Sequence, residues 1–412
     1  MTKSENTASI PMLKVYSEQF DSQGAGLVAG RKGRLFMEIC KPGKVTRKQL
    51  AHDFDIRPGT VSLIVLQLIE QGLVSEGRPA TPYQKGRPEI LLHPVTSAMA
   101  VMVFHVVSQS IHLTLVDFGG KQICTAQKEV RAEHVSNEIL QHLLVSMVQE
   151  VRAKAPDNIK ILGISFSLPG IVDEVNRVWV FATSRWPQIR NMDLSSIAAT
   201  LGLDVILNKN LNCELRARIA RRAEPSHSSI LMIHWGHGIG ASFSRNGSIL
   251  VSGNGGFGEI GHSYVRGRKE EQCRCGMKNC LETQAALWAL LPDLRKIHPD
   301  VPGDEWSFES FLKEKDDFDL ALLENAVHHM AVAMRNITLV LSPDKIVING
   351  PFVQHREIFQ RLYNEYKELL PAGSHVFTHR DVEVAVGRTG AEDEIIGAAY
   401  PLFESALKTM CA

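Results

Sequence analysis

The residues with the most definite chemistry lie in one segment, HSYVRGRKEEQCRCGMKNCLE, residues 262–282. His262 is followed eleven positions later by Cys273, then by Cys275 at C-x-C spacing, and Cys280 closes a C-x4-C. Three thiolates and one imidazole make a complete tetrahedral zinc set with no open position, so the metal would hold structure rather than catalyse. Gly276 and the short loop let the backbone wrap an ion. Cysteines at such spacing in a reducing compartment are metal ligands more often than disulfides, and three free buried thiols are the alternative. The expectation is one structural zinc per chain, on His262, Cys273, Cys275 and Cys280. Cys40, Cys124, Cys213 and Cys411 are scattered, and seven cysteines is an odd number, so a disulfide framework of the secreted kind is not expected.

A second stretch has the chemistry of DNA reading. From Arg31 to Ile90 eleven lysines and arginines stand against six aspartates and glutamates, a local excess of five positive charges in a chain of net charge zero. A basic module on an acidic body suits a protein that touches DNA with one end, a solvated surface with a chance excess being the bland alternative. The spacing predicts three helices and a wing. Leu35, Phe36 and Ile39 mark the first helix; Thr46 is the N-cap of the second, RKQLAHDF, with Leu50, Ala51 and Phe54 inward. Pro58 opens the third, PGTVSLIVLQLIEQ, with Val61, Ile64, Val65, Leu68 and Ile69 buried and Gly72 as its stop. Strands at Leu73–Glu76 and Glu89–Leu92 flank a polar Gly/Pro-rich wing.

This layout is that of a winged helix-turn-helix, against a generic three-helix bundle. The third helix would enter the major groove with Arg57, Gly59, Thr60, Ser62 and Leu63 outermost. Lys44, Arg47 and Lys48 are expected on phosphates, and Arg87 at the Gly86-Arg87-Pro88 tip, with Arg78 as a second candidate, in a narrow minor groove. A wing folded back on the protein would leave Arg87 a spectator.

The elements that follow alternate as an α/β protein. Met99–His105 and Ile111–Asp117 read as a hairpin, 137–153 as an amphipathic helix, Ile159–Ser165 and Asp204–Leu207 as strands. Further strands are expected in ILMIHW, GASFSRNGSIL and Lys345–Asn349, with helices at 320–342 and 391–408. A length of 412 residues calls for two or three domains, and 44% hydrophobic with 22% charged residues is an ordinary globular composition. No apolar run reaches the roughly 18 residues of a membrane span, and the first thirty residues lack a signal peptide's pattern, so a cytoplasmic protein with no membrane contact is expected.

The motifs GFGEIGH and CRCGMKNCLE, with Leu168–Asp173, Pro343–Ile348 and the N-terminal module, resemble the ROK family of repressors and sugar kinases, in its winged-helix regulator branch. The resemblance covers residues 31 to about 405. It implies a sugar kinase/actin-like domain after the winged helix, with a sugar or sugar derivative held between two lobes. Expected divisions are an N-terminal extension at 1–30, the DNA-binding domain at 31–93, a first lobe at 97–206 completed by 391–408, and a second lobe with the zinc site at 207–390. By resemblance, Glu259 and His262 contact sugar hydroxyls, His262 through the ring nitrogen not on zinc, and Glu282 is a further candidate. Glu259 as a mere cap of the following turn is the structural alternative.

The family's kinases carry a basic aspartate in Asn-Asp-x-Asn, where this chain reads Asn208-Lys209-Asn210-Leu211-Asn212. Either alignment puts Lys209 or Asn210, never a carboxylate, at the base position. The kinases' Asp-x-Gly-Gly-Thr phosphate loop is replaced by Phe104–Ser110, the later Gly236-His237-Gly238-Ile239-Gly240 keeps its glycines but has His237 for the usual Thr, and Asn349-Gly350-Pro351 departs from Gly-Gly. The expectation is therefore no catalysis, with Asn210 and Lys209 reshaping the pocket. Lys209 would pair with an anionic group of the ligand, or be a solvated surface lysine. The expected function is a sugar-responsive repressor of sugar uptake or metabolism genes, binding a duplex DNA operator as a homodimer or homotetramer. A kinase with an added DNA-binding module, and a regulator governed by a partner protein, are the rivals.

Overall fold

A computed structural model describes residues 30–41, 43–79, 89–182, 185–221, 228–266, 270–314, 319–370, 382–388 and 390–411. The expected wing tip with Arg87, and all of 1–30 except Gly30, lie outside these residues. Among the described residues no helix is long and apolar enough to cross a membrane.

The chain begins with α1 (Arg31–Cys40), β1 (Val45–Thr46), α2 (Arg47–Asp53), α3 (Pro58–Glu70), β2 (Val74–Pro79) and β3 (Ile90–Pro94). The Thr46 hydroxyl accepts from the Gln49 amide at 3.2 Å, the N-cap expected from its type. Asp55 takes φ 50°, a left-handed conformation that Asp tolerates, and lets the chain reverse between α2 and α3. Leu35, Phe36, Leu50, Val61, Val65 and Leu68 are fully buried, whereas Ile64 and Ile69, also expected inside, are only partly covered. The three strands pair antiparallel in the order β1-β3-β2.

A five-stranded sheet follows, ordered β11-β7-β4-β5-β6, from β4 (Met99–Val107), β5 (Ser110–Asp117), β6 (Gln122–Glu129), β7 (Lys160–Leu168) and β11 (Asp204–Lys209). β7 runs parallel to both β4 and β11. Between them the chain forms α4 (Asn137–Lys154), a small sheet of β8 (Ile171–Asp173), β9 (Val178–Phe181) and β10 (Arg190–Asp193), and α5 (Ser195–Leu201). α6 (Asn210–Arg221) starts where β11 ends.

The second five-stranded sheet, ordered β14-β13-β12-β15-β16, uses β12 (Ser229–Trp235), β13 (Ile239–Arg245), β14 (Ser248–Ile249), β15 (Lys345–Asn349) and β16 (Glu383–Val386). Its helices are α7 (Leu281–Ala285), α8 (Leu287–Ile297), α9 (Glu305–Glu314), α10 (Glu324–Leu341), α11 (Pro351–Gln354) and α12 (Arg356–Leu369). The last helix, α13 (Ala391–Cys411), returns to the first sheet and packs on β4, β7 and α6.

Side-chain alternation along β4 explains the layers. Ala100, Met102 and Phe104 face one core, closed by α4; Met99, Val101 and Val103 face the other, closed by α13. That second core is continuous with the core of the N-terminal helices. Phe403 of α13 meets Phe118 edge-on at 5.5 Å, and Phe118 stacks on Phe36 of α1 at 6.2 Å.

Candidate effector cleft and metal centre

Strand ends of both five-stranded sheets open on one cavity of about 580 Å³. Lys209 closes β11 and Asn210 opens α6, so the β-to-α turn delivers both to its wall. The three asparagines of Asn208–Asn212 part company here. Asn208 bonds the Ser165 hydroxyl (3.1 Å) and Arg216 (3.2 Å), and Asn212 bonds Ser242 (2.7 Å) and Glu174 (3.3 Å). Asn210 is the one of the three that lines the cavity.

Lys209 is not a solvated lysine. It is buried, and its ammonium donates to the Phe257 carbonyl (3.1 Å) and to the Glu259 carboxylate. An anionic ligand would therefore compete with Glu259 for it. Glu259 starts the short turn Ile260–His262 but makes no side-chain cap; its other oxygen lies 3.8 Å from His262 Nε2. The loop is held close to β13: Gly258 has φ 82°, and a Cβ there would fall 1.9 Å from the Ala241 carbonyl oxygen. This backbone contact is why the motif needs glycine at that position.

The opposite edge of His262 faces the cysteines. Its Nδ1 is 3.8 Å from Cys273 Sγ, Cys275 and Cys280 sulfurs are 3.7 Å apart, and all four ligand atoms lie within 4.8 Å of one another. A tetrahedral ion with metal–sulfur bonds of about 2.3 Å sets its ligands about 3.8 Å apart, so the donor set fits a metal centre. Burial first, and the neighbouring Cys273 charge second, push the Cys280 thiol well above its ordinary value, a repulsion that a cation relieves.

Glu282, expected on a sugar hydroxyl, is already engaged. It accepts from the Ile239 amide (2.9 Å) and from Trp288 Nε1 (3.1 Å), which ties α7 to the glycine loop 236–240. The same loop's His237 amide donates to Glu305 at 2.5 Å. Two backbone amides of this glycine loop are thus satisfied by the protein's own carboxylates.

Sequence reasoning missed the polar cluster behind this loop. Register pairs His234 of β12 with Asn349 of β15. His234 Nε2 faces Glu305 and its Nδ1 faces the Asn349 oxygen, each at 3.2 Å, while the Asn349 amide donates to Glu214. Burial alone would lower the His234 pKa, but the Glu305 carboxylate, the Glu214 charge and the Asn349 bond together outweigh it and raise it to about 9. Burial raises Glu214 to about 7; burial, then the Glu214 charge, raises Glu394 to about 8, and Glu394 accepts from Ser167 at 2.6 Å. Glu214 was within reach of sequence logic, one helical turn after Asn210. Glu305 and Glu394 arrive only through tertiary contacts; along the chain Glu394 is one of three acids in the first turn of α13.

In the N-terminal module, Arg47 pairs with Glu76 of β2 and Lys48 with Glu89 at 2.9 Å, so two of the three expected phosphate contacts are held by acids of their own module, while Lys44 is exposed. Arg57 and Arg78 are exposed, and Thr60 is half-buried. The Ser62 hydroxyl donates to the Pro58 carbonyl at 2.9 Å.

With this geometry established, the comparisons with known proteins place the chain. The ROK family profile matches residues 108–404, and the chain belongs to that family. It is 24% identical over 335 residues to the N-acetylglucosamine repressor of Escherichia coli O6:H1, covering 78% of this chain and 80% of that one. It is 22% identical over 369 residues to the xylose repressor of Caldicellulosiruptor bescii, covering 86% and 90%. Among solved structures, a ROK family transcriptional regulator described as a homologue of the E. coli Mlc protein superposes with TM-score 0.71 at 19% identity, over 93% of this chain and 97% of that one. A ROK hexokinase from Thermus thermophilus superposes with TM-score 0.58 at 20% identity, over 75% and 99%.

Proposed function

We propose that this chain is a sugar-responsive transcription regulator, acting as a repressor and not as a kinase. Residues 31–93 are its winged helix-turn-helix, 97–206 with 391–408 its first lobe, and 207–390 its second. The observation that carries the reading is the core shared by α13, the first sheet and α1. One helix starts at the cavity with Glu394 and ends against the N-terminal module, so an effector in the cleft has a packed route to the DNA-reading helices. Along it, the Ser165 hydroxyl and Arg216 donate to the Ala398 and Gly397 carbonyls, each at 2.7 Å. At Gly397 the backbone lies so close to Cys213 that a Cβ would stand 1.8 Å from its carbonyl oxygen, locking α13 to α6.

In this reading a sugar or sugar derivative sits against Lys209, Asn210, Glu259 and His262, whose amide, carboxylate and ring nitrogen can bond vicinal hydroxyls. The two repressors named above support a sugar as effector. Zinc on His262, Cys273, Cys275 and Cys280 supplies a structural crosslink when bound. His262 would then present Nε2, and Glu259 its carboxylate, from a rigid loop. Effector binding shifts the population of two arrangements of α6 and α13, and a dimer or tetramer translates that into the spacing of its two recognition helices.

The kinase reading has one observation in its favour: Glu214, with a pKa near neutrality in the cleft, is placed as bases often are. Against it stand the Asn210 amide at the base position and the Glu305 and Glu282 carboxylates on the amides a polyphosphate would need. A coupled assay with ATP and a panel of sugars separates the two: no turnover is expected, and turnover that disappears in Glu214→Gln would establish the kinase.

A further inference from the structure

Among the described residues the outer face of α3 has no partner, and two leucines stand on it. Val61, Val65 and Leu68 fill the module's core, whereas Leu63 is 65% exposed and Leu66 49% exposed, three residues apart on the opposite side. A surface helix ordinarily presents polar residues there. Gly59, one turn before Leu63, leaves open space in front of it, with nothing within 4 Å of a Cβ built at that position. Arg57 is exposed at the helix start, the Ser62 hydroxyl donates a hydrogen bond to the Pro58 carbonyl, Thr60 is half-buried, and exposed Gln67 and Glu70 stand one turn after Leu63 and Leu66. Of the module's other cations, Arg47 and Lys48 are tied to Glu76 and Glu89.

This second, apolar stripe therefore meets something, and the charge of the module says what. The module's sequence carries five excess positive charges between 31 and 90, which suits a polyanion and would be wasted on an apolar protein surface. In the major groove the one apolar group on a base edge is the thymine C5-methyl. We infer that α3 reads its operator chiefly by shape and methyl contact, with Leu63 and Leu66 packed on consecutive thymine methyls, rather than by side-chain hydrogen bonds to bases. The inference rests on the DNA-binding reading above and adds the class of base that is read and the residues that read it. Direct readout by Arg, the commonest specific contact to guanine, is confined to Arg57 at the helix start.

Deoxyuridine tests this directly, because it differs from thymidine in the major groove by that methyl alone. The full-length protein is used to select duplexes from a randomised library, and the selected duplex is remade with deoxyuridine at single thymidines. Wild type is expected to select thymine-rich half-sites and to lose about fourfold in affinity for each contacted methyl removed. Leu63→Ala and Leu66→Ala, at exposed positions that leave the core intact, are each expected to bind the thymidine and deoxyuridine duplexes equally at one position. Indifference of the wild type to deoxyuridine overturns the inference while leaving DNA binding intact. So does a change of oligomer mass in Leu63→Ala, which would put a second copy of the chain on this face. Failure to select any sequence overturns the DNA-binding reading and this inference together.

Discussion

The Lys209 ammonium rests on the Glu259 carboxylate, joining the end of β11 to the loop that also carries His262. Both partners are largely shielded from water, so neither charge has an inexpensive alternative. Removing one leaves the other uncompensated.

Lys209→Met is therefore expected to destabilise the protein by on the order of 3 kcal/mol, and Glu259→Gln by a similar amount. The double variant should recover most of the loss, because no unpaired charge remains. Urea denaturation of the four proteins measures this. Additive losses in the double variant would mean that the two side chains do not act as a pair.

The cysteine cluster predicts a metal that supports the same loop. Purified protein should contain about one zinc per chain, and Cys275→Ser should lose the metal together with the effector response. Elemental analysis and sugar-dependent melting read the two effects separately. Metal-free wild type with a normal sugar response would detach the cluster from the cleft.

Acid–base behaviour of the cleft follows from two raised carboxyls. Glu394, at about 8, and Glu214, at about 7, hold protons in the folded protein that the unfolded chain has released above about pH 4.3. Their contribution to stability is complete below that pH and is lost as pH rises through about 7 and then 8. Glu394→Gln keeps an acceptor for Ser167 and has no charge to bury. Melting temperature should fall between pH 6 and 8.5 in the wild type and fall less in Glu394→Gln, which should be the more stable of the two at pH 8.5. Parallel curves would show that Glu394 is ionised throughout.

Release of a cation onto DNA should be measurable at Lys48. Its pair with Glu89 is exposed and weak, and the bond raises the Lys48 pKa and lowers that of Glu89. Glu89→Gln should tighten binding to non-operator duplex by about two- to fivefold at low salt, with the gain vanishing as salt rises. An unchanged affinity would place Lys48 away from the phosphates.

Local and periodic features of this chain were legible in its sequence. The Thr46 cap, the Pro58 helix start, the β4–β5 hairpin and the cysteine spacing each depend on residues within a few positions of one another. Interactions that join distant segments were not. Nothing near Lys209 announces Glu259, fifty residues on, and a lysine after a strand reads equally well as surface. Arg47 and Lys48 looked free because their partners are distant in sequence, Glu76 in β2 and Glu89 just before β3. The bonds of Glu282 were hidden for the same reason, since only the folded loop brings the Ile239 amide to it. Ile64 and Ile69 fit the helical period but sit at the edge of a core too small to cover them.

The central claim is that the cleft and the DNA-reading module form one thermodynamic system. It is tested most directly by titrating the selected duplex with full-length, zinc-loaded protein at fixed salt, with and without each member of a panel of sugars, amino sugars and sugar phosphates. The account predicts that at least one of them changes DNA affinity by about tenfold or more, and that DNA changes the affinity for that sugar by the same factor. Sugar binding that leaves DNA affinity untouched, or DNA binding that no sugar in the panel alters, would contradict it.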